Sequence, residues 1–192
     1  FAVRFRNPPE VAYNPNVSYL LALDEGTTSA RAALYDSNLQ RVALEANSFL
    51  LNYPEQGWVE VDADVIWGAQ LSATRRLLDA HRVDPTQILA LGITNQRETT
   101  VVWEAATGRP LYPAIVWQCR RTAPYCEQLA QGPYKPKIEA LTGLVIDAYF
   151  SASKLRWILD SIPNGQARAI NGELRFGTVD TLSLIHISEP TR

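Results

Sequence analysis

Three short apolar segments joined by tight turns limit what this chain can fold into more than any other feature. Tyr19 to Leu23 is an apolar run that ends at Asp24, and Ala30 to Tyr35 follows after a glycine-containing turn. A second turn leads into Gln40 to Phe49. Short runs bounded by turn residues are typical of β-strands, and strands this close in sequence pair as an antiparallel meander. The chain is therefore predicted to start with a sheet.

A helix and further strands are predicted after the meander. The segment from Asp62 to Arg82 places apolar residues on one helical face, namely Ile66, Ala69, Ala73 and Leu77. Asp62 or Asp64 can cap this helix, and Pro85 follows its end. The later segments are predicted as strands at 88–93, 99–103, 114–117 and 173–179, and as helices at 122–131 and 151–161. This alternation predicts an α/β domain with a mixed sheet and flanking helices.

The composition excludes several classes of function. The chain has 192 residues, 46% hydrophobic and 20% charged, with a net charge of -2. Such a charge gives no electrostatic reason to expect nucleic acid as a partner. No apolar run approaches the roughly 18 to 20 residues that span a membrane, and no apolar stretch suggesting a signal peptide follows Arg4 and Arg6. A cytoplasmic protein without a membrane span is predicted.

The counts of cysteine and histidine narrow the chemistry further. Cys119 and Cys126 are the two cysteines, so no disulfide framework is expected, and their spacing places both on one face of a helix. Only His81 and His186 are present, which argues against a Ser-His-Asp triad or a histidine-rich zinc site. Catalysis or binding is therefore expected to use carboxylates, hydroxyls and arginines.

The segment from Asp24 to Ser29 is a candidate phosphate-binding turn. A carboxylate ends a buried strand, and a glycine and three hydroxyl residues follow it. Backbone N–H groups in such a turn can surround an anion, and Asp24 can hold a magnesium ion directly or through water. An ordinary hairpin has the same pattern, so this segment alone leaves both interpretations open. It is not a P-loop, because G-x-x-x-x-G-K-[ST] occurs nowhere in the chain.

The segment from Thr94 to Thr100 is a candidate binding site for a polyol. It follows a buried strand, where α/β folds place ligands. Arg97 and Glu98 together provide donors and acceptors, and each hydroxyl of a polyol both donates and accepts. An ion pair within a surface loop explains the same two residues.

Two aromatic residues are candidates for the same site. Trp117, in the segment Trp117 to Arg121, can cover the carbon skeleton of a polyol while polar neighbours bind its hydroxyls. Tyr149, just before a predicted helix, can offer its hydroxyl to a substrate. Both are also explained as core aromatics, with Arg120 and Arg121 as a solvated basic pair.

Taken together, these segments resemble the FGGY family of carbohydrate kinases, and within it the members that phosphorylate glycerol. The resemblance runs from about Tyr19 to Thr181. It implies a ribonuclease-H-like, actin-like ATPase fold, and transfer of the γ-phosphoryl group of ATP with Mg2+ to glycerol, giving sn-glycerol 3-phosphate. It implies glycerol-binding roles for Arg97, Glu98, Trp117 and Tyr149. The phosphate loop would contain Asp24, which is also the predicted metal ligand, together with Thr27, Thr28, Ser29 and Arg31.

The sequence departs from the family pattern at three positions. Glu25 stands where a glutamine is usual and adds negative charge beside the phosphate path. Ala148 and Ala152 replace a proline and a glycine around Tyr149, which is expected to change the stiffness of that loop.

Both ends of the chain are expected to lie outside the folded domain. Residues 1–17 contain several prolines and asparagines without periodicity, and they are interpreted as an upstream or disordered extension. Residues 182–192 look like a translated sequencing adapter and are interpreted as an artefactual tail. The kinase domain is then predicted at 18–181. The family's catalytic base, an aspartate in a Gly-Asp-Gln motif, lies beyond this segment, so the chain is expected to be inactive alone.

Other interpretations remain open at this stage. An FGGY kinase for another small polyol or a pentose shares the phosphate loop but matches Thr94 to Thr100 poorly. A non-enzymatic actin-like or chaperone-like ATPase shares the loop but has no reason to keep a polyol-binding set. The resemblance leaves room for a homo-oligomer of the complete protein.

Overall fold

The computed structural model describes residues 17–188 of the chain. Within that range eight strands form two four-stranded sheets, and six α-helices pack around them. The strands are β1 (Tyr19–Glu25), β2 (Ser29–Tyr35), β3 (Arg41–Ser48), β4 (Glu60–Val61), β5 (Ile88–Asn95), β6 (Thr100–Glu104), β7 (Ala114–Ile115) and β8 (Leu174–Thr178). The helices are α1 (Ala63–Ala80), α2 (Ala123–Gln131), α3 (Lys135–Thr142), α4 (Ser151–Ser161), α5 (Gly165–Ile170) and α6 (Val179–Ser188).

Sheet I has the strand order β3-β2-β1-β5. The predicted antiparallel meander of β1, β2 and β3 is confirmed, and β5 pairs parallel to β1, which makes the sheet mixed. The register places Arg31 and Thr94 on either side of Asp24. Three polar side chains therefore lie side by side near the end of β1, where the chain turns.

Helix α1 covers one face of sheet I and is the predicted amphipathic helix. Asp62 is its N-cap, and the Asp62 side chain accepts a hydrogen bond from the backbone N–H of Asp64 at 2.9 Å. The predicted inward residues are all buried, namely Ile66, Ala69, Ala73 and Leu77. Burying a leucine such as Leu77 contributes roughly 2 kcal/mol, so this face accounts for much of the attachment of the helix.

Sheet II is antiparallel, with the order β4-β7-β6-β8. Its core combines Val101 and Val102 of β6 with Ile158 of α4, all fully buried. The strand pattern predicted the individual strands at 99–103, 114–117 and 173–179 but not their separation into a second sheet. Periodicity reports which residues are buried, and it does not report which strands pair.

A buried arginine holds together one side of sheet II. The guanidinium of Arg121 donates to Glu60 Oε2 at 2.7 Å and lies 4.0 Å from the ring centre of Trp58 and 4.7 Å from that of Trp157. The expected alternative for Arg120 and Arg121, a solvated basic pair, is therefore wrong for Arg121. Arg120 is exposed and forms an ion pair with Asp147.

The chain passes from sheet I to sheet II through residues 96–99, which connect β5 to β6. The predicted polyol-binding segment therefore contains one of the crossings between the two sheets. Its position explains why its side chains can contact both halves of the structure.

Several local expectations need correction or lie outside the described range. Helices α3, α5 and α6 were not predicted, and Cys119 precedes α2 instead of sharing a helical face with Cys126. Both thiols are buried and free, as expected. Helix α6 extends across the predicted start of the tail, whereas residues 1–16 and 189–192 lie outside the described residues. None of the helices within residues 17–188 is long and apolar enough to cross a membrane.

Candidate functional site

The turn between β1 and β2 is tight at Gly26. Its backbone N–H donates to the carbonyl of Ser29 at 3.0 Å, and a Cβ added at Gly26 would lie 2.9 Å from that carbonyl oxygen. Any residue other than glycine would therefore have to move the turn. Thr27 and Thr28 lie at its tip with partly accessible side chains, while Ser29 is buried.

Asp24 and Arg31 face each other at the base of this turn. Arg31 Nη1 lies 2.9 Å from Asp24 Oδ2, and the two side chains are 48% and 41% exposed. An ion pair this open contributes at most about 1 kcal/mol, so a phosphate or a metal ion can replace it at little cost.

The donor set at Asp24 fits a magnesium ion only in part. Among residues 17–188 no group of three or more histidine, cysteine, aspartate or glutamate side chains could hold a metal ion. Mg2+ often binds through one or two carboxylates together with phosphate oxygens and water. Asp24 therefore suits a magnesium ion that arrives with a phosphate, and it does not form a metal site alone.

Residues 96–99 form hydrogen bonds directly to the β1–β2 turn, which is the candidate phosphate turn (residues 24–29). The backbone N–H of Gln96 donates to the carbonyl of Glu25 at 2.7 Å, and its side-chain amide donates to the carbonyl of Gly26 at 3.2 Å. Thr99 Oγ1 donates to Gln96 Oε1 at 3.1 Å. Gln96 thus fixes the distance between the turn and the residues that follow it.

Glu98 has an unusual backbone conformation with its carboxylate at the start of α4. Its φ is 66°, in the left-handed region that residues other than glycine rarely occupy, and such strain is common at binding sites. Glu98 Oε2 accepts hydrogen bonds from the backbone N–H of Ser151 at 2.7 Å and from its hydroxyl at 2.6 Å. The positive end of the helix dipole favours a carboxylate here. Among the described residues nothing hydrogen-bonds Oε1, which leaves it available to a ligand.

Trp117 joins the phosphate turn to the aromatic side of the site. Its indole Nε1–H donates to Thr27 Oγ1 at 3.0 Å, and its backbone N–H donates to Thr99 Oγ1 at 3.2 Å. The ring of Tyr149 meets the indole edge to face, with 6.0 Å between ring centres. Trp117 and Tyr149 are both half-buried, so neither is simply a core residue.

Arg97 lies apart from the other predicted polyol-binding residues. Its side chain is exposed and lines a cleft with Thr94 and Asp180. Within the described part of the chain it forms no ion pair or hydrogen bond. The structure therefore brings Glu98, Trp117 and Tyr149 together around the start of α4, and it leaves the Arg97 side chain exposed in a neighbouring cleft.

Glu25 is buried directly behind the phosphate turn. Its side chain is fully inaccessible, Oε1 accepts a hydrogen bond from Ser183, and Oε2 has no partner among residues 17–188. Burial raises the pKa of Glu25 to about 7; the Ser183 hydroxyl opposes the rise, and the charges of Asp180 and Asp24 add to it. The extra negative charge expected at this position is therefore partly neutralised by a proton near pH 7.

Sequence reasoning missed two residues that shape the site. Ser151 is not among the predicted site residues, yet it holds the Glu98 carboxylate. Asp147 accepts hydrogen bonds from the backbone N–H of Tyr149 at 2.7 Å and from Arg120 at 2.9 Å. The Asp-x-Tyr spacing could have indicated the first of these, because aspartate commonly bonds the N–H two residues ahead.

Comparisons with known proteins agree with this arrangement. A sequence profile for the FGGY family of carbohydrate kinases, N-terminal domain, matches residues 19–187. The glycerol kinase of Halorhodospira halophila is 55% identical over 163 residues, which are 85% of this chain and 32% of that protein. The glycerol kinase of Symbiobacterium thermophilum is 53% identical over 165 residues, covering 86% of this chain and 33% of the other.

A crystal structure of the Plasmodium falciparum glycerol kinase with ADP superimposes on the chain with a TM-score of 0.79. The sequences are 27% identical, and the match covers 90% of this chain and 35% of that one. The likeness confirms the predicted actin-like ATPase fold. The chain spans about a third of the length of the curated relatives that it matches.

Proposed function

The chain belongs to the FGGY family of carbohydrate kinases, and we propose that it supplies the glycerol-binding and phosphate-binding residues of an ATP-dependent glycerol kinase. The product would be sn-glycerol 3-phosphate. The hydrogen bond from Trp117 Nε1 to Thr27 Oγ1, at 3.0 Å, carries the proposal. It joins Trp117 to the β1–β2 turn, which supports a polyol site next to a phosphate-binding turn, as transfer between two bound molecules requires. The names of the matched relatives favour glycerol among the carbohydrates of the family.

The polyol would be bound by four side chains. Glu98 Oε1 would accept a hydrogen bond from one hydroxyl, because Oε2 is already held by Ser151. The Arg97 guanidinium would donate to a hydroxyl oxygen, and the Trp117 indole would cover the carbon chain. Tyr149 would close the site with its ring edge and hydroxyl. The set then provides both donors and acceptors for hydroxyl groups.

The phosphates of ATP would lie along the β1–β2 turn. Thr27 and Thr28 would donate hydroxyl protons to phosphate oxygens, Ser29 would hold the turn through its carbonyl, and Arg31 would exchange Asp24 for a phosphate oxygen. Asp24 would then be free to hold the Mg2+ that accompanies ATP. That ion, when bound, neutralises charge on the transferred phosphoryl group.

The residue that would deprotonate glycerol is expected outside this chain, in a Gly-Asp-Gln motif. The proposal therefore assigns binding to this chain and the complete reaction to the whole protein. A cytoplasmic location follows from the use of ATP and glycerol, and a homo-oligomer stays an untested part of the proposal.

The test is a coupled assay of glycerol phosphorylation on the whole protein, with xylulose and other small polyols as competing substrates. Arg97→Ala should raise the glycerol KM by about ten-fold or more, since it removes a charged hydrogen bond worth about 1.5–3 kcal/mol. Arg75→Ala is the matched control, because Arg75 is an equally exposed arginine on α1. Equal KM values in the two variants, or faster turnover of a pentose, would refute the proposal.

A further inference from the structure

A lysine is completely buried in the first turn of α4, next to the turn that carries Tyr149. Lys154 has no accessible surface and is the largest side chain among the fully buried ones in the described residues. Lysines are almost never fully buried unless they are paired. Burial of an ammonium group costs several kcal/mol even after the surroundings relax, so its position needs an explanation.

Among the described residues, both hydrogen bonds of the Lys154 ammonium group go to the turn that carries Tyr149. Its Nζ donates to the carbonyl of Tyr149 and, at 3.3 Å, to the carbonyl of Phe150. The side chain therefore points backwards along the helix and ties down the two residues that precede it. Phe150 is the N-cap of α4 and its side chain makes no capping hydrogen bond; the Glu98 carboxylate accepts the first helical N–H, that of Ser151, whereas Lys154 holds the carbonyls of the two residues before the helix.

The charge of Lys154 is unfavourable for the helix but favourable for Glu98. A cation near a helix N-terminus opposes the helix dipole. Desolvation lowers the pKa of Lys154 to about 8, and the negative charge of Glu98 is the largest influence in the opposite direction. Glu98 is not within ion-pair distance in the structure, so this attraction acts through space, in a half-buried region where screening by water is weak.

We propose that Lys154 is a positioning residue for the polyol site: it fixes the Tyr149 turn through the backbone, and its positive charge attracts the Glu98 carboxylate. A purely structural side chain would not need a charge at this place, and an apolar one would fill the space at lower cost. One of its two hydrogen bonds goes instead to Tyr149 and the other to the adjacent Phe150, and the charge that most favours its ionised form is that of Glu98. The inference deepens the proposed function and rests on it.

Two substitutions separate the parts of this role. Lys154→Met keeps much of the length of the side chain but removes both the charge and the donors. Lys154→Arg keeps the charge and several donors. In the whole protein, Lys154→Met should raise the glycerol KM by about ten-fold or more, as expected for losing charged hydrogen bonds, with the ATP KM within about two-fold. Lys154→Arg should recover most of the glycerol affinity.

A double-mutant cycle with Glu98→Gln tests the electrostatic part. Once Glu98 is neutral, removing the Lys154 charge should raise the glycerol KM far less than it does beside the native carboxylate. Equal effects of Lys154→Met in both backgrounds would refute the charge coupling.

The outcomes separate this inference from the function on which it rests. If the unmodified protein does not phosphorylate glycerol, the proposed function fails, and the inference with it. If the unmodified protein does phosphorylate glycerol, two results refute the inference alone. In the first, Lys154→Met leaves the glycerol KM unchanged; in the second, it raises the KM values for glycerol and ATP together. If Lys154→Met does not fold, Lys154→Gln and Lys154→Arg are compared. A glycerol KM that is the same for both of these variants overturns the proposal, and selective recovery by arginine supports it.

Discussion

Replacing Glu25 by glutamine should stabilise the folded chain, and the gain should depend on pH. Glu25 is fully buried, and one of its carboxylate oxygens lacks a partner among the described residues. The fold therefore disfavours the ionised form. A glutamine has nearly the same shape and no charge at any pH, so the substitution isolates the electrostatic penalty.

The magnitude follows from the raised pKa of Glu25. A pKa of about 7 in the folded chain against 4.5 for an exposed glutamate corresponds to about 3 kcal/mol, at about 1.4 kcal/mol for each pH unit. Below pH 4.5 the carboxyl is protonated in both the folded and the unfolded chain, so no penalty exists. As the pH rises from 4.5 to 7 the unfolded chain loses its proton first, and the free energy of unfolding of the native protein falls. Above pH 7 the whole penalty is present.

The assay is urea unfolding followed by tryptophan fluorescence at several pH values between 5 and 8. The chain contains five tryptophans, which report the transition. Glu25→Gln should unfold at higher urea concentration than the native chain at pH 8, by up to about 3 kcal/mol, and the gain should shrink towards pH 5. Glu55→Gln, at an exposed glutamate, is the control and should change little. A gain independent of pH, or a loss of stability at pH 8, would show that Glu25 is not held protonated by burial.

Three further substitutions test other parts of the structure. Gly26→Ala should weaken nucleotide binding by the whole protein, measured by calorimetry, because the added methyl would lie 2.9 Å from the carbonyl oxygen of Ser29; unchanged affinity would mean that the turn adapts without cost. Arg121→Met should lower the free energy of unfolding by about 3–5 kcal/mol in a urea titration, since it leaves the Glu60 carboxylate without its buried partner. The further change Glu60→Gln should recover part of that loss, and additive losses would argue against a coupled pair. Trp117→Phe should raise the glycerol KM several-fold while leaving stability within about 1 kcal/mol, because it removes one hydrogen bond of the indole and keeps an aromatic ring.

Most of the local structure could be predicted because it depends on neighbours in the sequence. The meander, helix α1 and helix α4 follow from apolar periodicity together with Asp62 as the cap of α1; Pro163, two residues after the end of α4, is a stop signal for that helix. Helices α3 and α5 were not predicted because they are short and have few buried residues, so they leave little periodic pattern.

The site could be predicted only as a list of residues. Resemblance to a family indicated Glu98, Trp117 and Tyr149, but it could not show that Ser151 holds one oxygen of Glu98 or that Thr27 accepts the indole N–H. Their partners lie 53 and 90 positions away in the chain. Contacts over such separations depend on how the two sheets pack, which no local pattern records.

The sequence by itself determined seven of the eight strands but not the two-residue β4, the main helices, the family and the identity of the candidate ligands of glycerol and phosphate. Only the tertiary structure decided that residues 96–99 cross between two sheets, that Arg97 stays free while Glu98 is fixed, and that Glu25 and Lys154 are buried. The physical reason is the same for both buried charges. A side chain's pKa and its partners depend on the water and charges around it, and those are set by segments that meet only after folding.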